Sequence, residues 1–123
     1  MLTNLMNSII ENTMKGTLKH EVAEILLDEI QELEYDEDIM SKLNDIVNFG
    51  CISGTVTRMI SYHDTEAFFD RHTDEIFDLM NEKRDNGWDL SLLDFSKNNL
   101  AWWSFEIITQ EIYYEAEDYF LRH

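Results

Sequence analysis

Apolar residues return every three or four positions along most of this chain, the spacing that lines one face of an α-helix. Over residues 2–14, Leu2, Leu5, Met6, Ile9 and Ile10 share one side, and Gly16 marks a stop. Thr17 then caps a second helix carrying Val22, Ile25, Leu26, Ile30 and Leu33. The acids of "YDED" (Tyr35 to Asp38) open a third, with Ile39, Leu43, Ile46 and Val47 inward and an expected end at Gly50. "GCISGT" reads as a turn, and Thr55 to Tyr62 as a short buried helix. From Asp64 or Thr65 a further helical stretch turns Phe69, Ile76, Phe77 and Met80 to the core. It breaks near Thr73 and stops at Gly87. "WDLSLLDF" is too short for an amphipathic helix and reads as an ordered loop or helical turn packed on the core. Ser96 caps the last helix, whose inward stripe is Ala101, Phe105, Ile108, Ile112, Ala116 and Phe120. With no strand-length alternation anywhere, the pattern predicts an all-α fold of about five to six helices.

Length adds that 123 residues form one compact domain. No proline and no Gly/Ser-rich linker divides it, so residues 1–123 are read as a single unit. Charge changes the picture more. Against 26 Asp and Glu stand nine Lys and Arg, a formal charge of −17, well beyond the roughly 2–8 that keeps a small domain soluble. Self-repulsion of this size disfavours the compact state, and a cationic partner would relieve it. Anionic lipid and nucleic acid would be repelled, so neither membrane nor direct nucleic-acid binding is expected. The single cysteine, Cys51, fits a reducing compartment, and "MLTNLMNSIIENTMKG" lacks the basic and apolar regions of a secretory signal. A cytoplasmic location is expected.

The acids are not scattered. Glu21, Glu24, Asp28 and Glu32 fall at helical spacing opposite the apolar residues of the second helix. Asp70, Asp74, Asp78 and Glu82 repeat at four-residue intervals. In the last helix Glu111, Glu115 and Asp118 do the same, in an acidic surround with Glu106 and Glu117 and only Arg122 in answer. Each like-charge pair costs roughly 0.2–0.5 kcal/mol in an isolated helix, and the lysine one turn away that usually offsets it is mostly absent. Four helical residues rise ~6 Å, while each DNA strand carries a phosphate every ~3.4 Å of axis. Carboxylate rows on neighbouring helices therefore approach the charge density of a nucleic-acid backbone. The plainer reading of such rows is a set of solvated faces.

Rival chemistries are weaker. Glu21 with Glu24, and Glu115 with Asp118, have the E-x-x-E and E-x-x-D spacing that holds magnesium in all-α nucleotide pyrophosphatases, but no basic cluster accompanies them to grip a triphosphate. None of His20, His63, His72 and His123 follows a Glu by three residues, as a di-iron bundle needs. "DED" at Asp36 lacks the glycine and glutamate of a calcium loop and reads as a helix start. Cys51 with His63 or His72 would make a nucleophile and base, yet a small residue between Gly50 and Gly54 is better explained by packing. Trp88, Trp102 and Trp103 fit core or dimer packing better than a ligand platform. No catalytic residue, metal site or cofactor is expected.

"DEIFDLM" (Asp74 to Met80), "GWDLSLLDF" (Gly87 to Phe95) and "EIITQEIYYEAEDYFL" (Glu106 to Leu121), with a fainter echo in "EDIMSKLNDIVN" (Glu37 to Asn48), resemble in order parts of the Ocr-type antirestriction proteins of bacteriophage. That resemblance implies a small acidic helical homodimer that imitates bent duplex DNA and occupies the DNA site of a restriction-modification enzyme. It carries Asp74, Glu75, Asp78, Asp89, Glu111, Glu115, Glu117 and Asp118 over as phosphate mimics. The chain departs from the family in residues 1–35, read as an N-terminal helical extension, in the longer segment around "GCISGTVTRMISYHDTEAFF", in the basic Lys83-Arg84 pair, and in lacking a polyacidic run after Phe120. The expectation is a non-catalytic inhibitor of a bacterial defence enzyme, restriction-modification or CRISPR-type, in the host cytoplasm if phage-encoded. Its partner-binding acids would be these eight with Glu21, Glu24, Asp28 and Glu32. The alternatives are an interaction module binding through apolar and aromatic surface, then a magnesium-dependent pyrophosphatase.

Overall fold

The computed structural model describes residues 3–53 and 64–122. Within them lie six helices and no strand: α1 (Asn4–Glu11), α2 (Leu18–Ile30), α3 (Asp36–Ser53), α4 (Thr65–Arg71), α5 (Thr73–Asp85) and α6 (Lys97–Arg122). The fold is all-α, as the periodicity predicts.

Local chemistry sets the boundaries. Thr3 Oγ1 accepts the Met6 N–H at 3.2 Å, Thr17 Oγ1 accepts that of His20 at 3.2 Å, and Ser96 Oγ accepts that of Asn99 at 3.4 Å. Each satisfies an amide that the first turn of a helix leaves without an intrahelical partner. Gly16 and Gly87 both take φ of 90°, a left-handed conformation that glycine enters without a Cβ penalty, and they turn the chain before α2 and after α5. Asp36, Glu37 and Asp38 fill the first turn of α3, where carboxylates complement the helix dipole.

The 26-residue helix α6 is the spine, and each of the other five packs against it. Leu5, Met6 and Ile9 of α1, Leu26 and Ile30 of α2, Ile39 and Leu43 of α3, Phe68 of α4 and Ile76 of α5 join Phe105 and Ile112 of α6 in one apolar core. Ser104 and Thr109 are buried on α6, and their hydroxyls donate to the Ala101 and Phe105 carbonyls, at 2.9 and 2.7 Å. They therefore enter the core without a desolvated, unbonded oxygen.

Several details differ from the sequence reading. Helix α1 ends at Glu11, and α2 ends at Ile30, leaving Leu33 and Glu32 beyond it. Helix α3 continues through Gly50 to Ser53, where a turn was expected. An interior glycine costs about 1 kcal/mol against alanine, too little to stop a helix anchored by Ile39, Leu43 and Ile46. The break expected near Thr73 is present at His72. Phe77, read as inward, is 44% exposed: Ile76, Leu79 and Met80 fill the buried face of α5, and Phe77 meets only the edge of Phe69, ring centroids 6.2 Å apart. In the 88–95 segment Leu90 is buried and Leu93 half-buried, while Trp88, Leu92 and Phe95 are exposed. Trp102 and Trp103 pack half-buried against the core. Phe120 is half-buried too. Leu2 and the helix expected over Thr55 to Tyr62 lie outside the described residues. Among the described residues no helix is long and apolar enough to cross a membrane.

Candidate functional site

The start of α2 is a polar junction of three helices. Thr17 satisfies only one of the free amides there; Glu75 of α5 accepts another, the Leu18 N–H, through Oε2 at 2.8 Å. The other oxygen of Glu75 lies 3.3 Å from His72 Nδ1, and His72 Nε2 lies 3.2 Å from Glu21 Oε2. His72 is 6% exposed and sits at the α4–α5 break, its ring edge-on to Phe68. Carboxylate oxygens only accept, so both of its bonds form when both ring nitrogens carry hydrogen. Arg71 Nε and Nη2 reach Glu21 Oε1 at 3.0 and 2.9 Å. A chain of polar contacts thus runs Arg71, Glu21, His72, Glu75 and ends on the backbone of α2.

Beside it, His20 Nε2 lies 2.6 Å from Glu24 Oε1, and its Nδ1 lies 2.9 Å from Thr13 Oγ1. The Thr13 hydroxyl donates to the Ile10 carbonyl at 2.7 Å, so it accepts from the ring. With Lys15, Thr17 and Arg71, His20 and Glu24 line a cleft of about 450 Å³.

On the other side of Glu75 an open groove of about 310 Å³ runs between α5 and α6. Leu18, Leu79 and Ile108 form its floor; Glu75, Asp78 and Glu82 of α5 and Glu111 of α6 form its walls. Lys19 stands at one end and is bonded to Glu115. Asp78, Glu82 and Glu111 have no ion-pair partner among the described residues. Here two of the predicted stripes become one surface.

The remaining predicted acids are placed differently. Glu21, Glu24 and Asp28 line a separate groove of about 350 Å³ with Ile10 and Ile25, and Glu32 is exposed past the end of α2. The row from Asp70 to Glu82 is cut by the His72 break: Asp70 belongs to α4 and pairs with Lys97 at 3.0 Å, and Asp74 begins α5 beside it, exposed. That hydrogen bond holds the Lys97 ammonium above its ordinary pKa. Asp118 pairs with Arg122 at 3.1 Å. Glu117 accepts from the Tyr113 hydroxyl at 3.1 Å; burial first, then this carboxylate, push the Tyr113 pKa up. Asp89 lies in the loop after α5, where hydrogen bonds from Ser91, side chain before backbone, hold its carboxyl below the usual range.

These partners bear on metal chemistry. Both members of each magnesium-like pair have a basic neighbour: Arg71 and His72 for Glu21, His20 for Glu24, Lys19 for Glu115, Arg122 for Asp118. Among the described residues no three His, Cys, Asp or Glu side chains are grouped to hold an ion. Side-chain surroundings of Cys51, and His63 altogether, fall outside the described residues.

Residues 7–118 match the model of the family described as Domain of unknown function (DUF7222). The chain belongs to that family. No curated protein and no solved structure gives a significant match. The DUF7222 span contains α2 to α5 entire and every residue of the groove and of the polar junction. The sequence placed Glu82 in a stripe outside the predicted site, offered His20 and His72 only as metal ligands or, for His72, a base, and gave no role to Lys19 or Arg71. The i,i+3 spacing of His72 with Glu75 and the i,i+4 spacing of His20 with Glu24 were visible signals. The links from α2 to α4, α5 and α6 had none.

Proposed function

We propose that this protein is a non-catalytic inhibitor that presents fixed carboxylates, in place of DNA phosphates, to the basic DNA-binding groove of a restriction or other defence enzyme, and that it does so as a homodimer. The observation that carries the reading is the α5–α6 groove. Glu75, Asp78, Glu82 and Glu111 stand on two rigid helices around one depression, and three of them have no neutralising cation among the described residues. A protein under selection for stability alone would gain from a lysine at one of these positions, since like charges at helical spacing repel. The apolar floor of Leu18, Leu79 and Ile108 suits the aliphatic stem of an arginine or lysine whose head reaches the rim.

Binding of this kind releases counterions and weakens steeply with salt. The test is competition with duplex DNA for a purified restriction complex over a salt series. The expected result is displacement at low salt that fades as salt rises. Failure to displace DNA from any restriction or CRISPR-type enzyme at low salt would overturn the reading. A second reading, an interaction module that binds through apolar surface, is favoured by the exposure of Trp88, Leu92 and Phe95. Its complex would be nearly indifferent to salt.

A further inference from the structure

One stretch of the described surface combines local neutrality with a cluster of exposed apolar side chains. Residues 83–97 hold three of the chain's nine Lys and Arg (Lys83, Arg84, Lys97) and three acids (Asp85, Asp89, Asp94), so the stretch is neutral within a chain of −17. The same stretch, with Phe77 one helical face upstream of Arg84, carries exposed apolar side chains: Trp88 at 45%, Phe95 at 53% and Leu92 at 98%. Leu90 is buried and Leu93 half-buried, and the Leu93 N–H closes a turn on the Leu90 carbonyl at 3.1 Å. This anchoring on both sides is what lifts Leu92 off the surface as a knob.

Lys97 is paired with Asp70, but the other two cations here are not spent on carboxylates. Lys83 Nζ lies 5.1 Å from the centroid of the Trp88 ring, and the Arg84 guanidinium 6.0 Å from that of Phe95. Neither has an ion-pair partner among the described residues. Asp85 lies beside them, exposed, while Asp89 and Asp94, exposed too, accept from the Ser91 and Ser96 amides.

We infer that this face is where two copies of the chain meet. The inference rests on the homodimer proposed above and goes beyond it by naming the surface. Two bodies of the same large negative charge repel wherever acidic surfaces approach within about a Debye length, ~8–10 Å at ordinary ionic strength. They can touch only where each is locally neutral, and this stretch meets that condition. It is also self-complementary: in a two-fold pairing, the same patch on both partners, Lys83 and Arg84 of one copy face Asp85, Asp89 and Asp94 of the other around a centre of Leu92, Trp88 and Phe95. A strongly basic partner would instead be drawn to the acidic faces and meet unpaired cations here.

The experiment is sedimentation equilibrium of the full chain over a concentration series at low and high salt. A monomer–dimer equilibrium is expected that tightens as salt rises, because screening removes repulsion while the apolar centre is unaffected. This is opposite in sign to the salt dependence of target inhibition, so either assignment can fail alone. Leu92→Glu should weaken the dimer at least tenfold, about 1.4 kcal/mol. Leu121→Glu adds the same charge at an apolar residue 76% exposed on the far end of α6 and should leave the dimer within twofold of the parent. Arg84→Glu should also weaken it. A chain that stays monomeric at every concentration and salt overturns the inference. So does a dimer indifferent to Leu92→Glu, or one captured at this face only by a different protein. All three variants change side chains in solvent, and circular dichroism verifies that each is folded before it is weighed.

Discussion

Glu75 accepts the N–H of Leu18 from a position 57 residues further along the chain, closing the first turn of α2 with a carboxylate from α5. One side chain thus caps a helix, faces a buried histidine and walls the acidic groove. Glu75→Ala should lower unfolding stability by about 1–2 kcal/mol, the usual cost of a lost cap. Glu75→Gln keeps an acceptor for the amide and should lose less. Urea denaturation compares the two, and equal losses would show that the charge rather than the cap matters.

The bridge through His72 predicts coupling. Removing it takes one hydrogen bond from Glu21, which keeps Arg71, and one from Glu75, which keeps the Leu18 N–H, so His72→Ala should cost about 0.5–1.5 kcal/mol for each bond lost. Combined with Glu21→Gln, the losses should fall short of additive, since both changes break the same link. Strict additivity in a double-mutant cycle would mean that the two residues act independently.

Neutralising the groove should move two properties in opposite directions. Asp78→Asn, Glu82→Gln and Glu111→Gln together relieve repulsion, so thermal stability should rise, by roughly 0.2–0.5 kcal/mol per like-charge pair. Affinity for a basic target should fall, and the salt slope of binding should flatten with it. A triple variant that competes with DNA as well as the parent protein would detach the groove from function.

Asp89 provides a pH test. Hydrogen bonds from Ser91 favour its ionised form, so the folded pKa lies below the ordinary 3.8. The sign follows: these bonds stabilise the loop above the unfolded value and are lost as pH falls through the folded one. Carbon NMR of the Asp89 carboxyl should show a midpoint below 3.8, and Ser91→Ala should bring it up toward that value.

The core and its one misread aromatic can be compared directly. Phe105 is fully buried and Phe77 is 44% exposed. Phe105→Ala should cost about 3–5 kcal/mol, whereas Phe77→Ala should cost under about 1 kcal/mol, its surroundings being half solvent. Similar losses at the two positions would mean that α5 is rotated from the orientation described.

Helical spacing was enough to find α2, α5 and α6 and to put Leu26, Met80 and Phe105 inside, because burial on a helix repeats with its turn. Thr17 and Ser96 were legible as caps because their chemistry is local. Phe77 was misread because four apolar residues on a helix of that length exceed what its packed face holds, and only the neighbouring helices decide which is left out. Gly50 was misread because propensity is a weak term beside tertiary anchoring. At the site, the acid rows of α5 and α6 were legible one helix at a time. Their meeting in one groove, and the diversion of Glu21, Glu75 and Glu115 into contacts with Arg71, Leu18 and Lys19, depend on distances across the fold that no spacing encodes.

Each of the other five described helices packs on α6. A rod ~39 Å long serves as a common keel, and the outward acids are held in fixed relation to it. If the protein acts as proposed, a receptor closing on them meets a surface assembled beforehand, and spends none of the encounter on drawing a pliable ligand into shape.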